Sequence, residues 1–317
     1  MKPAMALAAL FISACAGSPT KSSSAADSCP VARPDFGVAA AADRELFAYD
    51  ANAPLNLQQT VASTSNGVEV SGISFDSPEG GRVTGLLFDP VTRSSLRPGI
   101  VLMHGMPGNA SNTAAGAQLL AEYGAVVIAI DAPFARRGGP SVRFSAEDRA
   151  EQIQLIKDLQ RAVDVLRARA NVDDERIAYV GYSYGGAMGV LFAGIERRIK
   201  AAALVVADGG LVSHFTSSDA SSGALADLAC ATREGWLQAM TPIEPIRFIA
   251  LAPPTPLLLQ SGRLDNLVPE ADAQAVHTAA PQPKTILWYD AGHNLNQQAV
   301  FDRMDWLHEK IGLDARQ

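Results

Sequence analysis

The stretch from Arg176 to Gly194, RIAYVGYSYGGAMGVLFAG, constrains the fold of this chain more than any other. Ile177 to Tyr182 are β-branched, aromatic and small residues of the kind a buried parallel strand uses, and Ala187 to Ala193 favour a helix. Between them the chain must turn sharply at Ser183. Such a turn needs neighbours with almost no side chain, because backbone comes close to backbone there. Gly181, Gly185 and Gly186 meet that need. The pattern G-x-S-x-G is therefore read as a nucleophile elbow that holds the Ser183 hydroxyl above the end of a sheet, at the positive end of a helix. A serine that merely caps a helix makes no demand on residues elsewhere in the chain. An elbow serine does.

The rest of the sequence supplies a sheet for that elbow. From about Val68 strand-like and helix-like segments alternate, the signature of a mainly parallel, doubly wound α/β sheet with helices on both faces. Val68 to Phe75 and Val83 to Asp89 read as two leading antiparallel strands. Gly99 to Met103, Ala125 to Ile130, the elbow strand, Ile199 to Ala207, Leu257 to Gln260 and Thr285 to Tyr289 follow, giving about eight strands. Ser145 and Asp148 form a capping box that opens a long helix to about Ala170. Gln297 to Ile311 is a closing helix with Val300, Met304 and Leu307 inward. Residues 208–252 exceed what one connection between strands needs. They are expected to form a cap over the sheet's carboxyl end, with Trp236 lining a substrate pocket or, equally, belonging to the core.

A serine hydroxyl needs a base within reach and a carboxylate to orient that base. In an elbow fold these lie later in the chain, acid before histidine. Asp265 follows the strand Leu257 to Gln260, and His293 follows the strand Thr285 to Tyr289, so both fall on the rim that carries Ser183. Asp208, after the preceding strand, is the alternative acid. His277 and His308 fall on helices, His214 lies in the insertion, and His104 reads as a strut. An oxyanion needs donors as well. The Tyr184 N–H at the helix start is one. The loop His104-Gly105-Met106-Pro107-Gly108 offers the other, assigned to the Met106 N–H. The histidines and acids show no ligand spacing for a metal, and no cofactor is expected.

With 26 Lys and Arg against 33 Asp and Glu the chain carries a net charge of −7, which argues against nucleic acid and offers no basic patch for anionic lipid. Lys2, the apolar run Ala4 to Ile12 and then Ser13-Ala14-Cys15 read as a signal peptide over 1–14. The run is too short to span a bilayer. The residues before Cys15 resemble a bacterial lipobox, in which the cysteine is lipidated after cleavage; an ordinary signal peptide with Cys15 a bystander is the alternative. On the first reading 15–30 is a lipidated tether, 31–67 an N-terminal extension and 68–313 the α/β domain. The protein is then exported and membrane-anchored, facing the periplasm or cell surface. Cys29 and Cys230 remain as an even pair, either a disulfide or two unrelated small buried residues.

The motifs HGMPG, GYSYGG, SGRLD and DAGH together resemble the α/β-hydrolase superfamily over about Val68 to Leu313. Within it the chain is similar to dienelactone-hydrolase-like and acetyl-xylan-esterase-like serine esterases and to the catalytic domain of prolyl-oligopeptidase-type peptidases. It departs from dienelactone hydrolases proper in carrying Ser183 where they use cysteine, and from prolyl oligopeptidases in lacking an amino-terminal propeller. The resemblance implies hydrolysis of a small-molecule carboxylic ester through Ser183, His293 and Asp265. A peptidase or amidase using the same residues is the first rival, and a non-catalytic lipid-anchored binding protein the second.

Overall fold

The computed structural model describes residues 29–91, 96–217 and 222–316; the leader and Cys15 lie outside them. Nine strands form one sheet: β1 (Gln58–Ser65), β2 (Val68–Asp76), β3 (Arg82–Pro90), β4 (Arg97–Met103), β5 (Val126–Ile130), β6 (Val172–Tyr182), β7 (Ala201–Val205), β8 (Leu257–Gly262) and β9 (Lys284–Tyr289). Their spatial order is β1-β2-β3-β5-β4-β6-β7-β8-β9. The first three strands and the β3–β5 pair are antiparallel, and every pair from β5 through β4 to β9 is parallel. Because β4, β5, β7, β8 and the second half of β6 are covered on both faces, their residues are almost all buried and read as continuous apolar runs.

Helices cover both faces. On one lie α3 (Ala146–Arg167), α4 (Tyr184–Ile195) and α8 (Glu270–Ala279), whose inward residues join a core with Val101, Ile128, Tyr179 and Leu204. On the other lie α1 (Ala114–Glu122) and α9 (Gln297–Ile311), packed on Ile100, Val127, Val180 and Leu258. A short α2 (Pro133–Arg137) follows β5. The capping box of α3 is formed: the Ser145 side chain accepts from the Glu147 N–H, and the Asp148 carboxylate accepts from the Ser145 N–H.

One strand precedes the first that the sequence predicts. All eight residues of β1 are exposed, so QQTVASTS carries no buried alternation, and it pairs as an edge strand with β2.

Between β7 and β8 the chain forms α5 (Leu211–Phe215), α6 (Ser222–Ala226), α7 (Cys230–Met240) and three short 3-10 turns to Leu251. The segment before β1 crosses this insertion and is tied to it. The Arg33 guanidinium donates to the Ser213 carbonyl (2.6 Å) and to Asp272, and the Ala39 N–H donates to the Arg247 carbonyl (2.8 Å). Phe47, fully buried, meets the Phe248 ring edge-on at 5.6 Å. A disulfide joins Cys29 to Cys230, across 201 residues of sequence. By chain-entropy arithmetic a loop of that length stabilises by at most about 5 kcal/mol. Such bonds persist in oxidising compartments outside the cytoplasm. No helix among the described residues is long and apolar enough to cross a membrane.

Candidate active site

The elbow is built by backbone crowding. Ser183 sits between β6 and α4 at φ 54°, ψ −117°, a region that a residue with a side chain rarely adopts. Its N–H donates to the Val205 carbonyl on β7 (2.9 Å), and the Tyr179 hydroxyl donates to the Gly185 carbonyl (2.6 Å). A Cβ at Gly181 would lie 2.2 Å from the Gly185 carbonyl oxygen, and one at Gly185 would lie 2.4 Å from the Met103 carbonyl oxygen. Only glycine lets β6, α4 and the end of β4 close this tightly.

On the rim above the elbow, three side chains form one hydrogen-bonded chain. Ser183 Oγ lies 2.8 Å from His293 Nε2, and His293 Nδ1 lies 2.8 Å from Asp265 Oδ2. The second Asp265 oxygen, Oδ1, accepts from the N–H groups of Leu267 (2.9 Å) and Val268 (3.0 Å). These bonds fix the carboxylate from below, so its partner oxygen points at the imidazole. Burial pushes the Asp265 carboxyl up, but the His293 bond, the two N–H donors and the His293 charge outweigh it and hold the group below the usual carboxylate range. An ionised Asp265 selects the His293 tautomer with its proton on Nδ1, leaving Nε2 as the acceptor for the serine.

Asp208, the alternative acid on sequence, stands elsewhere. Its Oδ2 lies 2.9 Å from His214 Nδ1 and its Oδ1 accepts from the Gly210 N–H (3.0 Å). Burial pushes the His214 imidazole down, yet the Asp208 bond and the charges of Asp208, Asp272 and Glu244 carry it above the ordinary histidine value. His104 is a strut: its Nε2 accepts from the Ala132 N–H (3.0 Å) and its Nδ1 donates to the Gly105 carbonyl (2.8 Å), which binds the Met106 loop to β5. Burial holds this ring below the usual histidine value.

Two cavities meet at Ser183. An open cleft of about 670 Å³ runs past Gly105, Met106, Thr113, Tyr182 and His293. A smaller chamber of about 150 Å³ lies between Met106, Tyr184, Ala187, Leu211, His214 and Val268. At about 30 Å³ for each water-sized group, the chamber has room for on the order of five non-hydrogen atoms. Met106 lines both cavities, and Tyr184 opens α4, whose first N–H groups have no partner within the helix. An arrangement of this kind can present an activated hydroxyl and amide donors to one carbonyl group held between two compartments.

Trp236 does not line either cavity, which corrects its expected place in a substrate pocket. It is 1% exposed, its Nε1 donates to Asp148 Oδ2 (2.8 Å), and Phe144 and Phe215 pack edge-on against it at 5.2 and 6.0 Å. Trp236 belongs to the core that also holds Met240 and Phe248.

The sequence reading missed His214 and Asp208 as chamber walls, and Val206, which lines the cleft at φ 47° with its N–H donating to the Gln260 carbonyl. A β-branched residue at positive φ carries no mark in sequence. Among the described residues no group of three His, Cys, Asp or Glu side chains is placed to hold a metal ion.

The sequence matches the alpha/beta hydrolase fold family over residues 98–240, from β4 through α7. The mostly parallel nine-stranded sheet with its flanking helices has the α/β-hydrolase fold. Among its relatives is the uncharacterized protein YfhR of Escherichia coli, 27% identical over 46% of this chain and 47% of that protein, so this chain spans about half the length of that relative. The uncharacterized protein Rv2307c of Mycobacterium tuberculosis is 29% identical over 79% of this chain and 80% of its own length. Among solved structures, an acetyl xylan esterase from Paenibacillus sp. R4 shares the fold with a TM-score of 0.68, at 19% identity over 85% of this chain and 92% of that one.

Proposed function

We propose that this protein is a serine carboxylic ester hydrolase acting on small to medium esters without a cofactor. The observation that carries the reading is the unbroken run of hydrogen bonds from Ser183 through His293 to Asp265, facing a cleft and a chamber that part on either side of the serine. In this reading Ser183 Oγ attacks the ester carbonyl while His293 Nε2 takes its proton, and Asp265 orients and stabilises the imidazolium. The Met106 and Tyr184 N–H groups bind the oxyanion. His293 returns the proton to the departing alcohol oxygen as the carbon–oxygen bond breaks. A water molecule, deprotonated by the same nitrogen, then attacks the acyl-enzyme and frees the acid and Ser183.

The solved esterase of similar fold supports this chemistry over a binding protein on the same scaffold. A fluorophosphonate should label Ser183, and short p-nitrophenyl esters should turn over. Ser183→Ala should lose roughly 10⁴-fold or more, and Asp265→Asn should keep binding while losing much of the rate through the wrong tautomer. A label on another serine, or Asp208→Asn as the crippling change, would overturn the assignment, and faster cleavage of peptides than of esters would make the protein a peptidase. The disulfide supports export, and we further propose that Cys15 anchors the chain by lipid. Native protein recovered free of membranes would sink that last point.

A further inference from the structure

The open cleft has a neighbour at the α1 side of the elbow. Gly116 and Tyr182 line it and also line a further chamber of about 240 Å³ between α1 and α9. That chamber is walled by Leu119, Leu120, Val300 and Met304, and it contains one charge, the guanidinium of Arg303. Arg303 is 6% exposed. Its Nη1 donates to Gln260 Oε1 (2.8 Å), and the group lies 5.1 Å from the centre of the Tyr182 ring. No carboxylate answers it: among the described residues no Asp or Glu oxygen comes within 4.0 Å, the limit for an ion pair. The neighbouring Asp302 accepts from the Tyr289 hydroxyl (2.9 Å) and from Gln298 Nε2 (2.7 Å) instead. The Nε and Nη2 edge of Arg303 has no acceptor among the described residues, and neither atom is sealed off from solvent.

A guanidinium held in an apolar chamber without a counter-charge is costly, and that edge is the fork that receives a carboxylate through two parallel bonds. We propose that this chamber is a binding site for an aliphatic carboxylate, and that the larger half of the substrate is a short hydrocarbon chain ending in one. Such a substrate would place its smaller half in the chamber beside Ala187 and Leu211, its ester carbonyl at Ser183, and its chain past Tyr182 with the carboxylate on Arg303. The substrate class rests on the esterase reading; the carboxylate site does not.

Two measurements on the full chain separate them. By calorimetry, octanoate should bind at least tenfold more tightly than octanamide, less so at high salt. Arg303→Met should abolish the difference and Arg303→Lys should keep part of it. In turnover, the acetate ester of 6-hydroxyhexanoate should exceed that of 6-hydroxyhexanamide by fivefold or more in kcat/KM, carried by KM, and Arg303→Met should bring the ratio to one. Equal binding of octanoate and octanamide by the unaltered protein would overturn the site, even if Arg303→Met fails to fold. So would a preference that survives Arg303→Met. Octanoate binding with neither ester turned over would sustain the site and sink the esterase reading.

Discussion

The elbow and the insertion between β7 and β8 wall the same small chamber, but different forces hold them. At the elbow, main chain touches main chain: Gly181 against Gly185, Gly185 against Met103, and the Ser183 N–H on the Val205 carbonyl. In the insertion, side-chain anchors add to the backbone bonds. Glu244 accepts from the N–H groups of Val212 and Ser213 at the start of α5, Trp236 reaches Asp148 on α3, Asp208 meets His214, and Cys230 is bonded to Cys29. Backbone crowding tolerates no substitution but leaves little to adjust. Side-chain anchoring can be altered one group at a time, so the insertion is where the pocket can vary while the nucleophile stays fixed.

The sharpest break in that contrast is Gly185→Ala. The new Cβ would stand 2.4 Å from the Met103 carbonyl oxygen and 2.8 Å from that of His104, and neither backbone atom can yield without moving β4. The variant should lose more than about 3 kcal/mol or fail to accumulate folded, as read by soluble yield and thermal melting. A melting temperature close to that of the unaltered protein would mean that the elbow backbone gives way.

Next in size is Trp236→Ala, the matching change in the insertion. Emptying a fully buried indole should cost about 3–5 kcal/mol. Asp148 would keep the Arg143 and Ser145 N–H donors, so the cap of α3 should persist. Because Trp236 lines neither the cleft nor the chamber, relative kcat/KM among acetyl, butyryl and octanoyl esters should hardly change in the folded variant. A shift in that preference as large as the one a lining residue produces, roughly 1–3 kcal/mol, would return Trp236 to the substrate's reach.

The same contrast explains what the sequence made legible. Backbone crowding must be met by glycine, and buried parallel strands by apolar runs, so the elbow, the strand ends and the loops bearing Asp265 and His293 could be read directly. β1 could not, since all its residues face solvent and only its ladder identifies it. Trp236 lies at helical spacing from Arg233 and Met240, a pattern shared by a pocket wall and a core face. Arg303 shows the limit most clearly. It lies three residues beyond Val300 and one before Met304, on the inward face of α9, yet a charged residue in such a stripe reads as a solvated edge until its neighbours are known.

The smallest expected effect concerns Glu244 and moves a slope rather than the fold. This carboxyl is fully buried; burial pushes it up to about 8, with the bonds from Ser213 and Val212 pulling down and the Asp208 charge pushing further up. In the unfolded chain it titrates near the ordinary glutamate value of 4.5. Between those two pH values the folded state holds a proton that the unfolded state has lost, so the group's contribution is complete below the lower value and declines as pH rises toward the higher one. His214, raised above its ordinary value, acts in the same direction, so the wild-type curve alone cannot apportion the effect. Glu244→Gln keeps one carbonyl oxygen for either the Val212 or the Ser213 N–H, at a cost of about 1 kcal/mol that does not vary with pH. Melting temperature should therefore fall between pH 5 and pH 8 in the wild type and fall less steeply in Glu244→Gln. Parallel curves would mean that Glu244 is already ionised at pH 5, and that its charge, rather than its neutral acid, holds the start of α5 over the chamber.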